Sequence, residues 1–265
     1  MRSNAAFIAA LFLVLACGGA EEPPAPSTAT TTAVGTTDST ATGDGPVRRN
    51  HFKGWKVQLP YNATVMLTER STPAWPAELD GIVGIFNPAV KQHNTAHGTK
   101  EHPLHYVAYA IREVRSNPAT FPVRNQFGNA TWHFTRQKKS WLLVPARKTH
   151  NPEPGEAPPG DHLLCFAVDD DPMQTSLTID DRFTRPPLRT VTKITPSHYC
   201  VPVAKQFGDR PVEEPSHRNS YLAIYSYELT PSETYKAPVW IVDQFHPQPL
   251  PLPIGHSERL AVPAW

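Results

Sequence analysis

Three short phrases recur along the chain in a fixed order. A repeat constrains a fold more than any single motif, because each copy needs its neighbours to bury its apolar face. The first phrase opens on a ring: HFKGWKV from His51, HYVAYAI from His105, HLLCFAV from His162 and YLAIYSY from Tyr221. The second is short and ends in phenylalanine, at Phe127, Phe183 and Phe245; in the first copy the matching slot, near LTERS, has lost the ring. The third is centred on Pro88, Pro145, Pro202 and Pro263, in FNPAVK, LVPARK, CVPVAK and AVPAW. First phrases start 54, 57 and 59 residues apart, and the prolines lie 57, 57 and 61 apart. Two marks keeping one period imply four tandem units of about 57 residues, at about 51–94, 95–151, 152–208 and 209–265.

The first phrases alternate as strands do. Turn-rich stretches such as PYNAT, NQFGN and TRPPL separate them. No segment holds a helical period, and 30 prolines, spread through the chain, break helices and suit strand edges and turns. The expected fold is all-β, with three or four short strands per unit, packed as paired sandwich or barrel-like lobes. The stretch NPEPGEAPPG, 151–160, is the most turn-rich internal joint; it reads either as a separator between two pairs of units or as a decorated surface loop. A four-bladed propeller is the other arrangement that a unit of this length allows.

The N-terminus carries a targeting pattern. Arg2 is followed by an apolar run of twelve residues, Ala5 to Ala16. That is too short to span a bilayer and suits a secretory signal. The run closes as Val14-Leu15-Ala16-Cys17-Gly18, which resembles the bacterial lipobox. The resemblance implies a lipoprotein signal peptide at 1–16 and lipidation of Cys17 as the new N-terminus. With Gly18 rather than Asp after the cysteine, it points to the outer membrane if the source is Gram-negative. Residues 17–50 have almost no large apolar side chains and cannot offset their ordering entropy. They read as a lipid-anchored, flexible tether, spanning roughly 30 Å as a random coil.

Cys165 is the fourth residue of its first phrase, and Cys200 lies two before Pro202. The matching pairs elsewhere are Gly54 with Phe86, Ala108 with Leu143, and Ile224 with Ala261. Non-polar residues in both slots suggest inward positions that face each other. In an exported chain, a Cys165–Cys200 disulfide is then expected. A redox-active pair would want Cys-x-x-Cys spacing, which is absent. Together His162, Cys165, Phe166, Asp181, Phe183, Cys200, Pro202 and Lys205 resemble a bacterial extracellular repeat domain of unknown function, found in secreted and lipid-anchored proteins. The likeness covers roughly residues 51–265 and implies organisation without implying an activity.

Chemistry-bearing residues mostly follow the repeat. His93 and His150 share one slot, and His51, His105 and His162 share another, so each reads as serving its unit. His97 and His102 fall outside the repeat and are the residual metal candidates, although no zinc spacing rule is met. Asp181 and Asp243 share a slot with Asn125, where a turn role suits both residue types better than catalysis. The acidic run VDDDP, 168–172, lacks the EF-hand pattern and reads as a solvated turn. Trp55, Tyr109, Phe166 and Tyr225 share a core slot. No nucleophile elbow, zinc-protease or phosphate-loop motif is present. No catalytic residue and no cofactor is assigned.

A formal net charge of +1 without basic blocks excludes nucleic acid as the expected partner. The chain reads as an exported cell-envelope lipoprotein with a non-catalytic structural or adhesive, binding β-repeat domain. Its partners would be the membrane, through Cys17, and an envelope protein or glycan. The alternative is an extracellular hydrolase acting on a cell-wall or other polymer, with a site between units.

Overall fold

The computed structural model describes residues 50–265, apart from 70–71, 94 and 115–119. The expected signal peptide, Cys17 and all of the tether but Asn50 lie outside the described residues. Among the described residues there are strands, turns and bends and no helix.

The strands are β1 (His51–Thr68), β2 (Trp75–His93), β3 (Thr95–Gly98), β4 (His105–Ile111), β5 (Thr120–Asn125), β6 (Gly128–His133), β7 (Trp141–Thr149) and β8 (Leu163–Ala167). They continue as β9 (Met173–Asp181), β10 (Thr190–Pro202), β11 (Ala204–Gln206), β12 (Tyr221–Tyr227), β13 (Val239–Asp243), β14 (Leu250–Leu252) and β15 (Ile254–Ala264). All four first phrases are therefore strands, in β1, β4, β8 and β12. The four proline phrases lie in β2, β7, β10 and β15.

These eight strands pair antiparallel in a closed circuit, β1–β2–β4–β7–β8–β10–β12–β15 and back to β1. Closure leaves the circuit without an unpaired edge. It also gives each strand two buried faces, which is why β4 and β8 are buried at every position and carry near-continuous apolar runs. One face forms a compact cluster to which all eight strands contribute, including Phe52, Phe86, Tyr106, Leu143, Cys165, Cys200, Leu222 and Ala261. Only the inside of the circuit brings residues from opposite strands together. The other face, with Trp55, Tyr109, Phe166 and Tyr225, joins a larger core under the connecting hairpins.

The inward slots meet as the sequence suggests. Gly54 is opposite Phe86, Ala108 opposite Leu143, Cys165 opposite Cys200, and Ile224 opposite Ala261. Large faces small in three pairs, and two residues of middle size face each other in the fourth. A narrow interior filled in layers needs that compensation. At Gly54 it is enforced: an added Cβ would lie 2.6 Å from Arg259 Cβ and 2.7 Å from Phe86 Cε1. Cys165 and Cys200 form a disulfide. Their Cα atoms are 3.9 Å apart, closer than the usual range of about 4.4–6.8 Å, because the two residues sit directly opposite on neighbouring strands.

The remaining strands pair with extensions of the circuit. β9 pairs with the end of β2, β13 with the end of β7, and β11 with the end of β1. In these ladders Lys91 is opposite Ile179, Lys148 opposite Ile241, and Lys205 opposite Leu67. The common register places Glu69 in the slot of Asp181 and Asp243. β14 and β3 add to β13 and β2, and β5 and β6 form a separate hairpin.

The expected paired lobes are not seen. Hydrogen bonding passes without a break from β7 to β8, so 151–160 is a surface connection between neighbouring strands rather than a joint. Separate propeller blades are not seen either, because β2–β4, β7–β8, β10–β12 and β15–β1 all pair across the expected unit boundaries. Interior side chains interlock around the whole circuit, which favours one continuous layer over separated sheets.

Candidate functional site

Each second phrase ends a strand in a tight turn, and its short polar residue closes that turn. Asn125 Oδ1 accepts from Phe127 N at 2.8 Å. Asp181 Oδ1 accepts from Phe183 N and Thr184 N at 3.1 and 2.9 Å. Asp243 Oδ1 accepts from Phe245 N and His246 N at 2.9 and 2.8 Å. This is the role read for a slot that takes either Asp or Asn.

The second polar atom of the same groups does something the sequence does not reveal. It reaches a first-phrase ring two segments away. Asn125 Nδ2 donates to Tyr225 Oη at 2.9 Å, Trp55 Nε1 donates to Asp181 Oδ2 at 2.7 Å, and Tyr109 Oη donates to Asp243 Oδ2. Burial and the neighbouring Asp243 carboxylate hold the Tyr109 hydroxyl well above its ordinary range. The fourth ring in this slot, Phe166, has no polar atom. Its counterpart two segments away is the first segment, the one without Asp or Asn in the slot.

The repeated histidines and lysines also join segments. His51 Nε2 lies 3.2 Å from Gln126 Oε1, and His105 Nδ1 lies 3.1 Å from Asn87 Oδ1, whose amide nitrogen donates to Asp181 at 2.9 Å. Burial pushes the His105 and His162 imidazoles down to about 3, helped by Lys148 and Lys205 respectively. Lys91, Lys148 and Lys205 each stand three residues after a proline. Their ammonium groups lie 5.3, 4.1 and 4.9 Å from the ring centres of Phe127, Phe183 and Phe245 in the following segment. Burial lowers Lys91 and Lys148 to about 8. The shared spacing PAVK, PARK and PVAK was the available signal for this contact; the partner ring was not legible.

His102 serves its own turn, its Nδ1 accepting from Leu104 N at 3.1 Å. His97, in β3, pairs through its backbone with Lys91 of β2, and its side chain lies outside what is described. Among the described residues no three His, Cys, Asp or Glu side chains gather as a metal would require. In the acidic run, Asp169 pairs with Lys138 and Asp170 with His133, each at 2.9 Å. Trp75 and Trp132 are core residues, while Trp265 is exposed.

The interior departs from the repeat at the mouth farther from the prolines. Four residues before each proline stand Gly84, Trp141, His198 and Arg259. Trp141 and His198 stack with ring centres 3.5 Å apart, and the Arg259 guanidinium lies 5.7 Å from the Trp141 ring. His198 is buried, with Nδ1 2.7 Å from Ser197 Oγ and Nε2 3.0 Å from Lys139 O, and burial pushes it down to about 3. Arg259 Nη1 donates to the Glu258 carbonyl at 3.0 Å and meets its carboxylate at 3.1 Å. Arg259 Nε is buried without a hydrogen-bond partner. A groove of about 710 Å³ opens at this mouth beside β10, β12 and β15. Arg259 and Ser226 reach it from the inner face. Lys193, Glu228, His256 and Glu258 are among the residues that line it. These residues follow no repeat, so nothing in the sequence singled them out.

No curated protein and no solved structure matches the chain. A family model described as a repeat of unknown function, DUF7450, matches residues 109–262, more than half of the sequence. The match runs from β4 to β15 and leaves out the first segment, the one whose second phrase lacks its phenylalanine. The chain belongs to this family of repeats of unknown function.

Proposed function

We propose that the protein is an exported, bacterial envelope lipoprotein, tethered through Cys17, whose four repeats form one small closed barrel that works by binding rather than by catalysis. The observation that carries this reading is how the recurring polar residues are used. The second-phrase Asp and Asn tie turns to rings, the lysines cover phenylalanines, and His51 and His105 bond to amide side chains. Groups committed in this way stabilise a scaffold. The lipobox, the low-complexity tether and the disulfide fit an oxidising site outside the cytoplasm. Outer-membrane anchoring follows if the source is Gram-negative.

Two measurements on the full-length protein test this. Cys17→Ser should abolish incorporation of labelled fatty acid and move the protein from the detergent to the aqueous phase on detergent partition, or stall its processing; unchanged labelling and partition would refute anchoring. The soluble Cys17→Ser form should then sediment with isolated envelopes, and failure to bind would refute a binding role.

The hydrolase alternative has one observation in its favour. The groove lies between the third and fourth segments and holds His256 Nε2 3.0 Å from Glu258. Release of soluble fragments from envelopes by the wild type, lost in Glu258→Gln, would establish that reading in place of the first.

A further inference from the structure

We propose that the groove at the Arg259 mouth binds a neutral saccharide chain of the cell envelope. The inference rests on the binding reading above and names the ligand class of its site.

The groove has the size of a small-molecule site. Its lining is dominated by hydroxyls, from Thr192, Thr195, Ser226, Thr230 and Ser232. Charged walls are balanced, with Lys193 and Arg259 against Glu228 and Glu258. Balanced charge supplies no net field to draw in an ion. Glu258 already accompanies both Arg259, at 3.1 Å, and His256, at 3.0 Å, so an incoming anion would have to displace a carboxylate. Interleaved donors and acceptors instead match a ligand whose every hydroxyl can do both. Arg259 offers the specific contact: it lines the groove and meets Glu258 through Nη1, and its Nη2 amino group is a further pair of donors. A peptide is a poorer fit, because none of the exposed large apolar side chains, Leu188, Val212 and Trp265, lines the groove.

The position fits too. The inner layer is apolar where the repeat holds and turns polar only at this mouth, where Arg259, His198 and Trp141 replace repeat residues. Arg259 is the one of the three that lines the groove, and it lies against Trp141, which stacks on His198, so it is held in place before any ligand arrives.

The test uses the soluble, full-length Cys17→Ser protein and isolated envelopes, untreated or oxidised with periodate, which cleaves vicinal diols. Binding to untreated envelopes should fall at least tenfold after periodate. It should also fall at least tenfold in Arg259→Lys, and in Lys193→Ala combined with Glu228→Gln; the latter residues are exposed, so their loss leaves the fold intact. A neutral oligosaccharide whose chain carries vicinal diols, the 1,4-linked tetramer of glucose, should compete, and tetragalacturonate should not. Binding that survives periodate and is not competed by the glucose tetramer, or that persists in the rim variant, overturns the saccharide proposal and leaves the binding reading standing. Competition by tetragalacturonate alone overturns the neutral class. Absence of envelope binding overturns both.

Discussion

Asp181 and Asp243 occupy the same slot and accept from different donors, and that difference decides what a mutation does. At Asp243 the partner is Tyr109 Oη, a hydroxyl that can turn and accept instead. Asn125 already makes that arrangement with Tyr225. Asp243→Asn should therefore cost less than about 1 kcal/mol in urea unfolding. At Asp181 the partners are Trp55 Nε1 and Asn87 Nδ2, both donors. Asp181→Asn would set an amide against them, and the expected loss is about 2–3 kcal/mol. Equal losses at the two sites would contradict the assigned contacts. Buried histidines set the pH dependence. His105, His162 and His198 fall from 6.5 to about 3 in the folded protein, with burial as the main cause. Between those values the unfolded chain binds more protons. The histidine contribution should be fully present above pH 6.5 and should be lost as pH falls toward 3, by up to about 1.4 kcal/mol per histidine per pH unit. A melting temperature flat from pH 7 to 4 would contradict this.

At the scale of the strands, the four paired slots were legible because period and composition agreed: two non-polar residues at fixed distances from a ring and a proline. The rings at Trp55, Tyr109, Phe166 and Tyr225 were legible as core for the same reason. The partners of the second phrases were not. Asp181 meets Trp55 across 126 residues, and spacing along a chain carries no trace of so distant a contact. The groove residues were invisible because they occur once. The slots can be tested by exchange. Cys165→Ala with Cys200→Leu copies the Ala108/Leu143 pair and should fold, losing up to about 4 kcal/mol for the absent cross-link. Gly54→Ala should cost about 1–3 kcal/mol through overpacking, because the new methyl group meets both Arg259 Cβ and Phe86. Denaturant midpoints check both, and a Gly54→Ala protein as stable as the parent would contradict the interior packing.

For the whole molecule, the repeat foretold strands in the right places but not how they close. Paired lobes were the natural reading of a proline-rich stretch at 151–160, and only the pairing of β7 with β8 removes it. Closure makes the segments interdependent. Second phrases bond two segments on, and lysines cover rings one segment on, so no segment is complete alone. A chain ending at residue 208 loses β12 and β15, leaves β1 and β10 each short of a neighbour, and should be insoluble or unfolded by circular dichroism. The central claim is that the four segments are equivalent copies around one closed interior. Its most direct test is Ile224→Cys with Ala261→Cys, placed in the Cys165→Ala, Cys200→Leu background. Mass spectrometry of the unreduced, folded protein should find residues 224 and 261 joined, as 165 and 200 are in the parent. Two free thiols in a folded, oxidised protein would contradict the claim.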